Sequence, residues 1–293
     1  MKNENDVQNS VRDFYDKVGW QLTEDEVYQN ARYEDLRPVS KEYIQRCHLR
    51  VGRHLPKIGT YLLDAGSGPI QYPEYLTYSA GFSFRVCLDL SITALKEARK
   101  KIGEHGLFIV ADVANMPFKE NVMDGAVTLH TFHHLAAGDQ RKAYLELLRV
   151  LTPGGSAVVV NGWTESAMMN MFKGLVSLME NLGRMLQAIS RHSKPEKPAN
   201  GEEKSVNPKA PKGTFITKID PKWLKEEIEG LVPYEILVWR SVSVRFLRGV
   251  IHKQLFGKGV LAFLYRLEEG FPHYFGKVGQ YPLIVINKSR MIL

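Results

Sequence analysis

Short apolar runs separated by polar turns recur through the first half of the chain: Tyr61 to Ala65, Phe84 to Asp89, Leu107 to Ala111, Gly125 to Leu129 and Ser156 to Val160. Each has the length of a buried strand. Between them, Ile92 to Ile102 and Gln140 to Leu151 carry apolar residues at helical spacing. Strands alternating with helices predict an α/β fold, a parallel sheet covered on both faces. The pattern changes after Trp163. Met168, Phe172, Leu175, Met179, Leu182, Leu186 and Ile189 recur four and three apart, one stripe of a long amphipathic helix. Met171, Leu178 and Met185 widen that stripe, and Lys173, Glu180 and Arg184 lie opposite. Arg191 to Gly213, rich in Lys, Pro, Ser and Asn, reads as a mobile surface linker. Order resumes at Ile216. Asp220 caps a helix that starts at Pro221, Tyr234 to Val244 alternates as a strand, Phe246 to Glu269 reads as broken helix, and Tyr281 to Asn287 is the last strand. The chain therefore divides into a helical N-terminal segment (1–55), a core (56–163), a helical insertion with its linker (164–215), and a C-terminal part (216–293) that completes the sheet and holds a second insertion (245–280).

Composition narrows the class without naming a function. At 293 residues, 44% hydrophobic and 24% charged, the chain can bury a large core and is neither collagen-like nor a disulfide scaffold. Two cysteines, Cys47 and Cys87, read as reduced thiols of a cytoplasmic protein. The polar start, Met1 to Asn9, lacks the apolar run of a signal peptide, and no apolar run spans a bilayer. A net charge of +7 favours an anionic partner: nucleic acid, lipid headgroups or an acidic substrate.

The densest chemistry lies in Tyr61-Leu62-Leu63-Asp64-Ala65-Gly66-Ser67-Gly68-Pro69, an apolar strand running through an acid into a glycine turn. Gly66 and Gly68 let backbone approach a ligand where a Cβ would intrude. A dinucleotide fingerprint needs a further glycine at position 71, which is Gln71. Asp89 closes the second strand, where a carboxylate can accept both hydroxyl protons of a ribose. Asp112 closes the third and can accept from an exocyclic adenine amine. Acids at the carboxyl ends of three consecutive strands mark a nucleoside site, although any one alone also serves as a helix N-cap.

With these residues the chain resembles the class I S-adenosylmethionine-dependent methyltransferases. Asp64 to Gly68 resembles their first motif, Asp89 with Leu90 the ribose-binding position and Asp112-Val113 the adenine-contacting pair. Asp124-Gly125-Ala126-Val127 resembles the fourth strand, and Leu151-Thr152-Pro153-Gly154-Gly155 the turn before the fifth. Pro69-Ile70 departs from a pattern with another glycine. The resemblance covers about 60 to 163. It implies a Rossmann-like seven-stranded sheet with a final antiparallel strand, S-adenosyl-L-methionine as cofactor, and an N-terminal cap in which Tyr15 or Tyr28 contacts the methionine end. Packing of both tyrosines on the sheet is the alternative. No Asn-Pro-Pro-aromatic run is present, which disfavours adenine and glutamine nitrogens as acceptors.

After the fourth strand comes His130-Thr131-Phe132-His133-His134, at the edge toward which the methyl group would point. Adjacent His133 and His134 cannot both face one point, so no metal site is expected. One of His130, His133 and His134 can serve as general base, or His130 packs beside the cofactor. The expected activity is methyl transfer to oxygen or carbon of a small or lipid-like acceptor. Met168, Met171, Phe172 and Met179 are candidates for an apolar acceptor wall, against the alternative of a helix packed on the core. Phe246, Leu247, Val250, Ile251, Leu255 and Phe256, with Arg245, Arg248, Lys253 and Lys258, have the composition of a peripheral membrane contact. An RNA or protein methyltransferase, or an inactive cofactor-binding subunit, remain alternatives. The absence of a recognisable RNA-binding module argues against a nucleic-acid partner.

Overall fold

A computed structural model describes residues 4–21, 28–192 and 214–290. Seven strands form one sheet: β1 (Gly59–Ala65), β2 (Phe82–Asp89), β3 (Gly106–Val110), β4 (Met123–Leu129), β5 (Leu151–Val160), β6 (Tyr234–Arg240) and β7 (Tyr281–Asn287). Their order is β3-β2-β1-β4-β5-β7-β6. β1 to β5 pair in parallel, and β7 lies antiparallel to both β5 and β6. This is the expected mostly parallel sheet with a final antiparallel strand. Successive residues alternate between two apolar layers, as the two-residue strand period requires. Leu62, Val127, Val158 and Leu283 face a layer with Tyr43, Ile44 and Leu95. Leu63, Ala126, Val159 and Ile284 face one with Ala143, Leu147 and Leu224.

The helices are α1 (Glu4–Phe14), α2 (Lys41–Arg50), α3 (Ile92–Ile102), α4 (Ala137–Val150), α5 (Ala167–His192), α6 (Pro221–Glu227), α7 (Val244–Val250), α8 (Gly257–Gly270) and α9 (Pro272–Val278). β6 stops at Arg240, short of the expected Val244, because the Ser243 hydroxyl accepts the amide of Phe246 and starts α7. Ser91 and Asp220 cap α3 and α6 in the same way. The expected linker lies outside the described residues apart from Arg191 and His192, which close α5.

One expectation about the insertions is corrected. Met168, Met171, Phe172 and Met179 do not line the cavity described below. Met168 and Phe172 pack on the core, where Phe172 meets Phe246, while Met171 is exposed. In the second insertion Phe246, Leu247 and Ile251 are core residues and Val250 packs against them. Arg245 pairs with Glu180 and Arg248 donates to the Glu34 carbonyl. Leu255 and Phe256 of the six apolar residues are exposed, as are Val260, Phe263, Phe271 and Tyr274 elsewhere in the same insertion. Among the described residues, no helix is long and apolar enough to cross a membrane.

Candidate active site

The strand order reverses between β1 and β4, and the crevice beyond the carboxyl ends of these strands is where open α/β sheets bind ligands. A cavity of about 450 Å³ lies there. β1 delivers the glycine turn to it. Gly66 has φ +76°, and a Cβ at this position would lie 2.3 Å from the Thr131 side chain. Gly68 has φ +54°, and its missing side chain leaves room for the Trp20 ring 3.1 Å from the ideal Cβ. Ser67 lines the same turn, while Ala65 is wholly buried in β1 and lies outside the lining.

The three acids take different roles. Asp64 borders the cavity, but its carboxylate is held by the buried Arg85, with Nε at 3.0 Å and Nη2 at 2.5 Å. It fixes the turn from below. Asp89 accepts the amides of Gly68 and Ser91, each at 2.9 Å, one on each oxygen. A carboxylate has about four lone-pair sites, so each oxygen keeps one for a further donor. Burial pushes Asp89 up to about 6. Asp112 accepts the Ala114 amide at 2.9 Å and the Gln8 side-chain amide at 2.7 Å. Leu90 and Val113 line the cavity beside these acids.

The N-terminal segment covers this crevice and is tied to three loops at once. Gln8 reaches Asp112 after β3, Asp16 accepts the Ser91 hydroxyl after β2, and the Tyr15 hydroxyl lies 2.7 Å from His134 Nε2 after β4. Tyr15 lines the cavity and stacks on Trp20 at 4.8 Å. Tyr28 does not line it. Its ring packs edge-on against Trp20, with Lys101 Nζ 4.6 Å from its centroid, which is the packing alternative for this residue.

All three histidines reach the cavity, and the structure keeps them neutral. His130 has a left-handed backbone, φ +56°, a costly conformation for a non-glycine residue. Its ring packs against Trp239 at 5.0 Å and Tyr281 at 5.8 Å, and burial lowers its pKa to about 3, helped by Arg240. His133 lies with Nδ1 3.3 Å from Asn161 Oδ1, and burial lowers it as well. His134 has a definite tautomer. Nδ1 lies 2.8 Å from the Phe215 carbonyl, which can only accept, so Nδ1 carries the proton and Nε2 accepts from Tyr15. Burial holds His134 at about 4 and raises the Tyr15 hydroxyl well above its ordinary range.

Beyond the histidines, Tyr72, Trp239, Arg240 and Tyr281 close the wall with Ile216 and Lys218. Arg240 is 2% exposed and pairs with Glu34 at 2.5 Å. Sequence reasoning missed these residues and Trp20. Only the strand pattern around Trp239 and Tyr281 hinted at them, because their chemistry depends on β6 and β7 joining the same sheet edge as β4 and β5.

A model of the methyltransferase domain family matches residues 63–159. Residues 63–159 thus carry a methyltransferase domain. It is 30% identical over 139 residues to the tRNA (carboxymethyluridine(34)-5-O)-methyltransferase of Arabidopsis thaliana, covering 41% of this chain and 33% of that protein. It is 36% identical over 97 residues to the malonyl-[acyl-carrier protein] O-methyltransferase of Salmonella typhimurium, covering 32% and 36%. The alignment thus spans little more than a third of these relatives. Among solved structures, phosphoethanolamine N-methyltransferase 1 of Haemonchus contortus superposes with a TM-score of 0.56 over 100% of this chain and 51% of that one, at 10% identity. The putative methyltransferase of Haloferax volcanii, in complex with the Trm112 activator, gives 0.52 over 97% and 100%, at 15% identity. These structural likenesses show the fold. The domain's cofactor fits the residues present: a glycine cradle that a Cβ would fill, and two carboxylates with lone pairs left for hydroxyl and amine donors. Gly66, Ser67, Gly68, Asp89, Leu90, Asp112 and Val113 line the cavity together with Gln8, Tyr15 and Trp20 of the N-terminal segment.

Proposed function

We propose that this chain transfers a methyl group from S-adenosylmethionine to oxygen or carbon of a small or lipid-like acceptor. One observation carries the reading. A single cavity runs from the carboxylates of Asp89 and Asp112 to an aromatic wall of Tyr72, Trp239 and Tyr281, and the N-terminal segment covers it. A cavity of this size and enclosure suits a small molecule or the end of a chain.

S-adenosylmethionine supplies a sulfonium methyl group that is already electrophilic. The chain's residues then have to align the acceptor and exclude water. Alignment alone contributes several kcal/mol to such reactions. Tyr15, fixed by His134, and Trp20 form the cover over the reacting region. His130, held against Trp239 and Tyr281, presents a neutral ring to the cavity. With their pKa values lowered, the histidines are weak bases. The site therefore favours an acceptor whose attacking atom is ionised or readily loses its proton.

Demethylmenaquinone methyltransferase of Paenarthrobacter aurescens, 32% identical over 105 residues, is a further relative, and the three relatives act on three unlike acceptors. The net charge of +7 and the tRNA-modifying relative support RNA as a second reading. Incubation with methyl-labelled cofactor and fractionated cell extract, followed by mass spectrometry, separates the two. The proposal expects label in low-mass or lipid fractions, lost in Asp89→Ala. Label confined to RNA or protein overturns it.

A further inference from the structure

Deepening the proposed methyl transfer, and resting on it, we infer that the acceptor carries an anionic group, a carboxylate or a phosphate ester, held by Lys218, Arg240 and Tyr281 over the β5–β7 half of the crevice. The sheet order separates this corner from the cofactor acids. Asp89 ends β2 and Tyr281 starts β7, and β1, β4 and β5 lie between them. Gly162, just past β5, makes room for the corner. An ideal Cβ there would lie 3.3 Å from Tyr281 Cε1 and 3.5 Å from Lys218 Nζ, so the ammonium sits over the glycine beside the tyrosine ring. Lys218 also lies close enough to His133 to lower its pKa. The Arg240 guanidinium carbon lies 4.6 Å from the centroid of the same Tyr281 ring.

The charges in this corner do not cancel. Glu34 is the one acid among the lining residues near Arg240, and it is already paired with it and with the Asp35 amide. Lys218 has no hydrogen-bond or ion-pair partner among the described residues, and partial burial lowers its pKa. Arg240 Nε is buried and without a hydrogen-bond partner there. The free donors are thus cationic, and the imidazoles beside them are neutral. Taking a cation out of water without a partner is costly, and a bound anion removes that cost. Charge-assisted hydrogen bonds to a carboxylate or phosphate are the strongest that such donors form. A neutral alcohol or amide would leave the ammonium unpaired. The aromatic neighbours Trp239, Tyr281 and Tyr72 set the body of the acceptor beside this charge.

The test uses the full chain saturated with S-adenosylhomocysteine, titrated by calorimetry with three probes of one ring and different charge: benzoate, phenyl phosphate and benzamide. Binding of S-adenosylhomocysteine alone is measured first, and its absence counts against the methyltransferase reading itself. With the cofactor product bound, the inference expects benzoate or phenyl phosphate to bind about tenfold or more tighter than benzamide. Which anion binds better separates a carboxylate handle from a phosphate. Lys218→Ala should lose that preference and keep its affinity for S-adenosylhomocysteine, while Lys218→Arg should retain the preference. Equal binding of benzamide and both anions to the wild type, or an unchanged preference in Lys218→Ala, overturns the anion site.

Discussion

At the scale of single residues, the account rests on Asp89, Gly66 and the histidines. Removing the Asp89 carboxylate by Asp89→Ala leaves ribose hydroxyls and two backbone amides without an acceptor. Cofactor affinity should fall by about 1–3 kcal/mol in calorimetry. The raised pKa, about 6, adds a pH dependence with a fixed sign. Above it Asp89 is a carboxylate and accepts hydroxyl protons. Below it the protonated group offers a donor where acceptors are needed. Affinity for S-adenosylhomocysteine should therefore decline as pH falls through about 6, with proton uptake or release detected in buffers of different ionisation enthalpy. Depressed imidazole pKa values have the opposite sign: these rings are neutral throughout the neutral range. Turnover should show no inflection near the ordinary histidine pKa of about 6.5, and a single histidine limb there would restore the general-base role. Gly66→Ala places a Cβ against Thr131 in a left-handed backbone and should cost about 1–2 kcal/mol of stability from the conformation alone, read as a lower denaturation midpoint. The sequence exposed Asp89, Asp112 and both glycines because each closes a strand or turn. It did not expose the commitment of Asp64 to Arg85, since that partner is 21 positions away and is set by the β1–β2 register.

At the scale of elements, all five parallel strands and the last antiparallel strand were legible from apolar runs, because a strand buried on both faces leaves an uninterrupted signal. Helical periodicity found α5 but not the side that is covered. Val176 is buried, while Leu175, Leu178 and Leu182 of the widened stripe face outward. A helix with apolar residues around much of its girth carries no sequence mark of its partner. α7 carries the same ambiguity: Phe246 and Leu247, with Ile251 just past its end, enter the core beside its basic residues. Leu247→Ala should therefore destabilise the fold by about 2–5 kcal/mol in urea titration, the range for emptying a buried leucine site. Phe256, 86% exposed, should tolerate substitution by Ser within about 0.5 kcal/mol. Equal tolerance at both positions would return α7 to the surface.

At the scale of the whole molecule, the N-terminal segment, the switch point of the sheet and the β6–β7 edge jointly enclose one cavity. Three separate tethers, Gln8 to Asp112, Asp16 to Ser91 and Tyr15 to His134, join the cover to loops that line the cavity. Tyr15→Phe removes one tether without emptying the space, so it should speed cofactor dissociation in stopped-flow fluorescence, with Trp20 against the glycine turn as the reporter. The central claim is that this crevice binds S-adenosylmethionine through the strand-end acids. Calorimetric titration of S-adenosylmethionine into the wild-type chain and into Asp89→Asn tests it most directly. The account predicts saturable one-to-one binding to the wild type, clearly weakened in the variant while its unfolding midpoint stays close to that of the wild type. No binding to the folded wild type, or equal affinity in both proteins, would contradict it.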